Sequence, residues 1–178
     1  MRKVLYILGQ LRDQDVTWLG EAGRVRRVSP GEVLIVEGRH NDQLFIVLSG
    51  ELDVTAGDTK VAALGAGEII GELSFVDSAP PSASVTAKTE SEVLALDHDT
   101  VQRRLARDSV FAAGFYRAIA MFLADRLRGT VQRMGYSEDL GLAGDEALSD
   151  ELDDRLLDSV SLAGERFQRL LRTLGAHG

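Results

Sequence analysis

Residues 67–87 read GEIIGELSFVDSAPPSASVTA. Two Gly-Glu steps, Gly67-Glu68 and Gly71-Glu72, stand four residues apart. A short helical turn follows, then the pair Pro80-Pro81, then an alternating strand over 83–87. A glycine-started turn that opens into one turn of helix leaves backbone N–H groups without intrahelical partners, and such groups hold phosphates and other anions. The stretch therefore reads as a candidate anion-binding turn set between two strands.

Outward from it, the chain is a series of short strands cut by turns. Strand-like periodicity begins at Arg24. Gly31-Glu32 opens the run Val33-Leu34-Ile35-Val36, and Glu37-Gly38 closes it. Asn41-Asp42 turns into the apolar run Leu44-Phe45-Ile46-Val47-Leu48, which ends at Ser49-Gly50. Leu52 and Val54 alternate with polar residues as far as Gly57-Asp58, a hairpin signal. Residues 61–64, 68–70, 83–87 and 93–96 bring the count to about eight. Short strands with turns every ~8–12 residues indicate an all-β sandwich or barrel. The expected fold is mainly β with flanking helices, with an antiparallel roll over residues 24–96.

Helical periods flank the roll. Asp13–Ala22 reads as a short helix with Asp13 as N-cap and Val16, Trp18, Leu19 and Ala22 as its apolar positions. Residues 97–106 form another, apolar at Val101 and Leu105. A longer helix over about 109–134 carries Phe111, Phe115, Ala118, Ile119, Phe122, Leu123, Leu127, Val131 and Met134, spaced by threes and fours. Residues 136–144 form a Gly-containing polar linker. Residues 145–174 form an acidic amphipathic tail helix, with acidic residues early and Arg166, Arg169 and Arg172 late, as the helix dipole favours. Its apolar face has three destinations: its own chain, a twin, or another protein. The expected division is a domain over 1–135, the linker and the tail.

The 67–87 stretch resembles the phosphate-binding cassette of cyclic nucleotide-binding domains, found in catabolite-activator-type regulators and kinase regulatory subunits. In that family the cassette runs G-E-L, a small residue, an apolar residue, a spacer, then P-R-x-A-S/T. Here it runs Gly71, Glu72, Leu73, Ser74, Phe75, then Pro80, Pro81, Ser82, Ala83, Ser84. One element departs: Pro81 stands where the family has the arginine that pairs with the cyclic phosphate. The resemblance implies a β-roll pocket for cAMP, cGMP or another small ligand, bounded by Gly71, Glu72, Leu73, Ser74, Pro81, Ser82, Ala83 and Ser84. It gives Glu72 the ribose 2′-hydroxyl. The alternative for Glu72 is a carboxylate capping the cassette helix, which needs no ligand. Thr130 falls where catabolite-activator-like proteins set a threonine against the base. The long helix is the family's dimer helix, which implies a homodimer seam through Phe111, Phe115, Phe122, Val131 and Met134. A charged hydrogen bond of the kind the arginine makes is worth ~1.5–3 kcal/mol, so its loss implies weak or altered nucleotide binding unless Arg39 or Lys60 compensates.

Composition narrows the classes. The 178 residues can bury a core, and no apolar run reaches the ~18–20 residues of a membrane span. The chain has no cysteine, which excludes disulfides, thiolate catalysis and cysteine-ligated metals. The start, MRKVLYILGQL, is too short in its apolar part for a signal peptide and lacks a cleavage site, so the expected location is cytoplasmic. His40, His98 and His177 have no metal-ligand spacing, and no Gly-x-Ser-x-Gly elbow, Walker A loop or GxGxxG motif occurs. An enzyme is not expected. Of the net charge of −8, most lies in residues 137–178, with 10 acidic against 4 basic side chains. That is the wrong sign for binding DNA. Two readings remain. One is a ligand-sensing regulator that passes a signal to a protein partner through the tail helix. The other is an interaction or structural module that keeps the sensor fold without a ligand.

Overall fold

The computed structural model describes residues 8–133 and 154–175. Helix α1 (Asp13–Ala22) leads into eight strands: β1 (Arg24–Val28), β2 (Val33–Ile35), β3 (Gln43–Ser49), β4 (Leu52–Ala56), β5 (Thr59–Leu64), β6 (Ile69–Ile70), β7 (Ser84–Ala87) and β8 (Ser91–Asp97). The short helix α2 (Glu72–Asp77) interrupts them between β6 and β7. Helices α3 (His98–Arg107), α4 (Ser109–Arg133) and α5 (Asp154–Gly175) follow. The strands form two four-stranded sheets, ordered β1-β8-β3-β6 and β2-β7-β4-β5, with antiparallel pairing throughout. The expected eight-stranded antiparallel roll with flanking helices is the observed fold.

Within the first sheet β3 is buried on both faces, which explains why it is apolar without interruption. Successive side chains of a strand point to opposite faces. Phe45 and Val47 enter the core between the sheets with Val28, Ile35, Leu52, Val54, Ile70, Val85 and Val93. Leu44, Ile46 and Leu48 point the other way, into a second core shared with Leu94 and Leu96 of β8 and with the helices. The second sheet keeps polar residues on its outer side, as in the alternating burial of β4 and β7.

The helical core corrects three sequence expectations. First, Phe111, Phe115 and Phe122 are buried within the single chain, at 0%, 2% and 0% exposure. They pack with Val16, Leu19, Val101 and Leu105 rather than facing a second copy. Trp18 meets Phe111 edge-on at 5.4 Å. Second, Leu127 sits on the opposite side of α4 and is 65% exposed, with Val110 and Tyr116 also exposed. Of the expected seam, only Val131 is part-exposed, and Met134 lies outside the described residues. Third, Arg12 rather than Asp13 is the N-cap of α1. The Asp15 carboxylate reaches back to accept the Arg12 N–H at 3.1 Å, the return half of a capping box.

Asp15 is 1% exposed and therefore requires countercharge. It receives the Arg12 guanidinium at 2.7 Å and that of Arg104 at 3.4 Å. Both arginines also reach Asp108 Oδ2, at 2.7 and 3.2 Å. The other Asp108 oxygen caps α4 by accepting the Phe111 N–H at 2.9 Å. These hydrogen bonds, led by the cap, hold the Asp108 carboxyl below the ordinary carboxylate range.

The tail helix takes one of its three destinations: it folds back on its own chain. Leu170 is 1% exposed, and Phe167, Leu171 and Leu174 pack on the helical core. Arg166 and Arg169 grip Asp13 at 2.7 and 2.8 Å, and Arg166 also donates to the Leu8 carbonyl at 3.1 Å. The apolar face expected to dock a protein partner is thus occupied within the chain. The 136–144 linker and the start of the expected tail helix, residues 145–153, fall outside the described residues.

Candidate ligand cavity

The 67–87 stretch becomes one wall of a cavity of about 420 Å³. Gly71 ends β6 in the left-handed region, at φ +87°, and its carbonyl accepts the Phe75 N–H at 3.1 Å to start α2. Ser78 ends the helix, also left-handed, at φ 59°. Gly71 is fixed by space as well as by φ. A Cβ there would stand 2.5 Å from the Gln43 carbonyl oxygen and 2.8 Å from Asn41 Nδ2. The left-handed backbone alone costs a non-glycine residue ~1–2 kcal/mol, and the clash adds to it. Gly71→Ala is therefore expected to lower the urea midpoint of unfolding clearly. A wild-type midpoint in that variant would show that the turn relaxes freely.

Phe75 aims α2 at the long helix. It is buried and meets Phe115 edge-on at 5.7 Å, and His98 at 5.1 Å. Three turns further along α4, Arg126 arrives over Glu72. Its Nη1 donates to Glu72 Oε1 at 2.5 Å, and its guanidinium lies 4.9 Å from the ring centre of Phe122. Glu72 is 2% exposed. Burial pushes its carboxyl above the ordinary value, against the opposing pull of Arg126, and the neighbouring Glu68 adds to the rise. Glu68 itself is buried and accepts the Gly65 N–H at 2.9 Å.

The structure brings Gly71, Glu72, Leu73, Ser74, Pro81, Ser82, Ala83 and Thr130 to the cavity wall. Ser84 is the exception. Its hydroxyl accepts the Glu37 N–H at 3.0 Å and pins the neighbouring loop instead. The Pro81 carbonyl accepts the Gly38 N–H at 2.8 Å, so the Pro-Pro segment is tied to the β2–β3 turn. The apolar floor comes from both flanking sheets, including Ile35, Val54, Val61, Ile70 and Val85. Neither Arg39 nor Lys60 belongs to this wall, and Lys60 pairs with Asp53 at 2.7 Å. The cation that does line it is Arg126, which sequence reading missed. A signal was available: Phe115, Phe122, Arg126 and Thr130 share one helix face, and a lone guanidinium amid an apolar stripe needs a buried partner.

Among the described residues no group of His, Cys, Asp and Glu is arranged to hold a metal, and no helix is long and apolar enough to cross a membrane. The cavity offers a buried ion pair, an apolar floor and the N-terminal turn of α2. That suits a small amphiphilic ligand.

Comparison with known proteins places this geometry. Residues 25–108 match the family model described as cyclic nucleotide-binding domain. The chain is 37% identical over 105 residues to the cAMP-dependent protein kinase regulatory subunit of Yarrowia lipolytica, covering 58% of this chain and 28% of that protein. It thus spans less than a third of such curated relatives. Among solved structures, it is similar to a cyclic nucleotide-binding domain from Methylobacillus flagellatus, with a TM-score of 0.67, 25% identity, and coverage of 74% of this chain and 80% of that one. It is also similar to the N-terminal domain of a transcriptional regulator from Streptomyces coelicolor A3(2), with a TM-score of 0.58, 30% identity, and coverage of 71% and 94%. The roll that carries the cavity, and the match across residues 25–108, make this part of the chain a cyclic nucleotide-binding domain.

Proposed function

We propose that this chain is a regulatory sensor without catalysis of its own. A cyclic nucleotide or a related small molecule fills the cavity beneath α4, and the helix relays occupancy to a protein partner. One observation carries this reading: the Glu72–Arg126 pair joins the cassette helix to α4 across the cavity wall. A ligand at that wall acts directly on the contact that sets the helix. The name of the Yarrowia relative, a cAMP-dependent regulatory subunit, supports cAMP as the first candidate.

Binding is proposed to be weak, because Pro81 replaces the phosphate-pairing arginine implied by the family pattern, and Arg126 is already engaged by Glu72. Domain 1–135 holds the sensor, and the tail modulates it. A homodimer remains part of the proposal, now through the exposed side of α4 around Val110, Tyr116 and Leu127. The acidic tail argues against DNA as a partner.

Low-affinity calorimetry with cAMP and cGMP tests the reading. The expected result is a dissociation constant well above the micromolar range for the better of the two. Micromolar or tighter binding would overturn the weak-binding claim. No heat with either nucleotide at millimolar concentration would favour the ligand-free module.

A further inference from the structure

The cavity wall carries two opposite charges that cancel each other, and this has a consequence for what enters. Among the described residues Arg126 is the cation on that wall, and its partner Glu72 is almost fully buried. An anion approaching the cavity meets a guanidinium already engaged and a carboxylate that repels it. Resting on the nucleotide-sensor reading above, we infer that Arg126 is the counter-ion for the ligand's phosphate, surrendered by Glu72 as Glu72 takes a proton from solvent. Anion binding and proton uptake are then one event.

Geometry supports this beyond the bare pair. Arg126 is held to the wall by the Phe122 ring on one side and by Glu72 on the other. Releasing Glu72 frees a donor of a guanidinium that already lies over the ring on the cavity wall. Glu72, once abandoned, is a buried carboxylate that feels the charge of Glu68, which lies just before β6. With Arg126 gone to the ligand, the main attraction that offsets that burial is lost, so the neutral acid is favoured. Burial already holds the Glu72 carboxyl above its ordinary value with Arg126 in place, and transfer of Arg126 raises it further. The sign follows. Between the free and the bound Glu72 values, each step down in pH strengthens anion binding by up to about tenfold per unit, the limit for one linked proton. A neutral ligand of the same shape has no such dependence.

The test is calorimetry of the full chain with cAMP and with adenosine from pH 5.5 to 8, in two buffers of different ionisation enthalpy. The wild-type protein is expected to bind cAMP more tightly as pH falls, with about one proton taken up per ligand, while adenosine affinity stays flat. Arg126→Gln should weaken cAMP at least tenfold and adenosine far less, so that the loss is specific to the phosphate. Arg126→Lys should restore part of the cAMP affinity. Glu72→Gln should remove the pH dependence and bind cAMP at pH 8 at least as tightly as the wild type does at pH 5.5. If cAMP binds without proton uptake, or Arg126→Gln binds it as well as wild type, the inference is overturned while the sensor reading stands. If the wild-type chain binds neither probe, both fall together. Should Arg126→Gln not fold, the wild-type proton count still decides.

Discussion

Pro81→Arg tightens cAMP binding by about 10- to 150-fold, the equivalent of one charged hydrogen-bonding contact of ~1.5–3 kcal/mol at 1.4 kcal/mol per decade. The position suits the exchange. Pro81 lines the cavity, and what the fold takes from it is its carbonyl, which accepts the Gly38 N–H and which any residue supplies. Arginine would also restore a backbone N–H that proline lacks. The gain should appear with cAMP and not with adenosine, because the new cation addresses only the phosphate. Equal affinities of variant and wild type for cAMP would mean that residue 81 does not face the phosphate, and the reading of the departure from the family pattern would fail with it.

The second large effect concerns the tail. Leu170→Ala removes a side chain that is 1% exposed between α5 and the helical core. Large-to-small changes at such sites cost ~2–5 kcal/mol. For a chain of this size that corresponds to a fall in Tm of roughly 5–20 °C, at about 2–4 °C per kcal/mol. The ion pairs from Arg166 and Arg169 to Asp13 contribute far less, because Asp13 is half exposed and such pairs are screened by salt. Their hydrogen bonds, led by Arg166, hold the Asp13 carboxyl below its ordinary value. What stability they add is therefore present at neutral pH and lost as pH falls through that depressed value. Differential scanning calorimetry separates the two: Leu170→Ala should shift Tm strongly and Asp13→Asn weakly at physiological salt. A Tm for Leu170→Ala within a degree of wild type would show that α5 is not part of the core.

The roll was legible in the sequence because its cues are local. Gly31, Gly38, Gly50, Gly67 and Gly71 all take positive φ, and apolar runs between them fix strand lengths. The bounds of Asp13–Ala22 are legible for the same reason, whereas its cap is not, because an arginine N-cap has no sequence signature. The cassette also announced itself through short-range spacing. Arg126 did not, since its role depends on a contact with Glu72 across 54 residues of chain. Periodicity could not orient α4 either. Phe111, Phe115 and Phe122 mark one apolar side, while Val110, Tyr116 and Leu127 mark another. Only packing against α3 and the rest of the helical core decides which is buried. For the tail, an apolar face was plain, but three surfaces could have covered it.

The pairing of β1 with β8, Arg24 opposite Ala95 through Val28 opposite Ser91, sets a timetable for the nascent chain. β8 is also the partner of β3, so the first sheet lacks its central member until residue 97 is available. At ~5–20 residues per second, about 4–14 s separate the synthesis of Arg24 from that of Ala95. From its own synthesis to the end of that interval the run Leu44–Leu48 has neither its main neighbour in the sheet nor the later helices that share its outer core. The ribosome thus releases a strand-rich, apolar segment well before the chain can shelter it, and non-local closure of this kind is intrinsically slow. A fold whose middle strand is completed by its last one is exposed to aggregation during synthesis rather than after it.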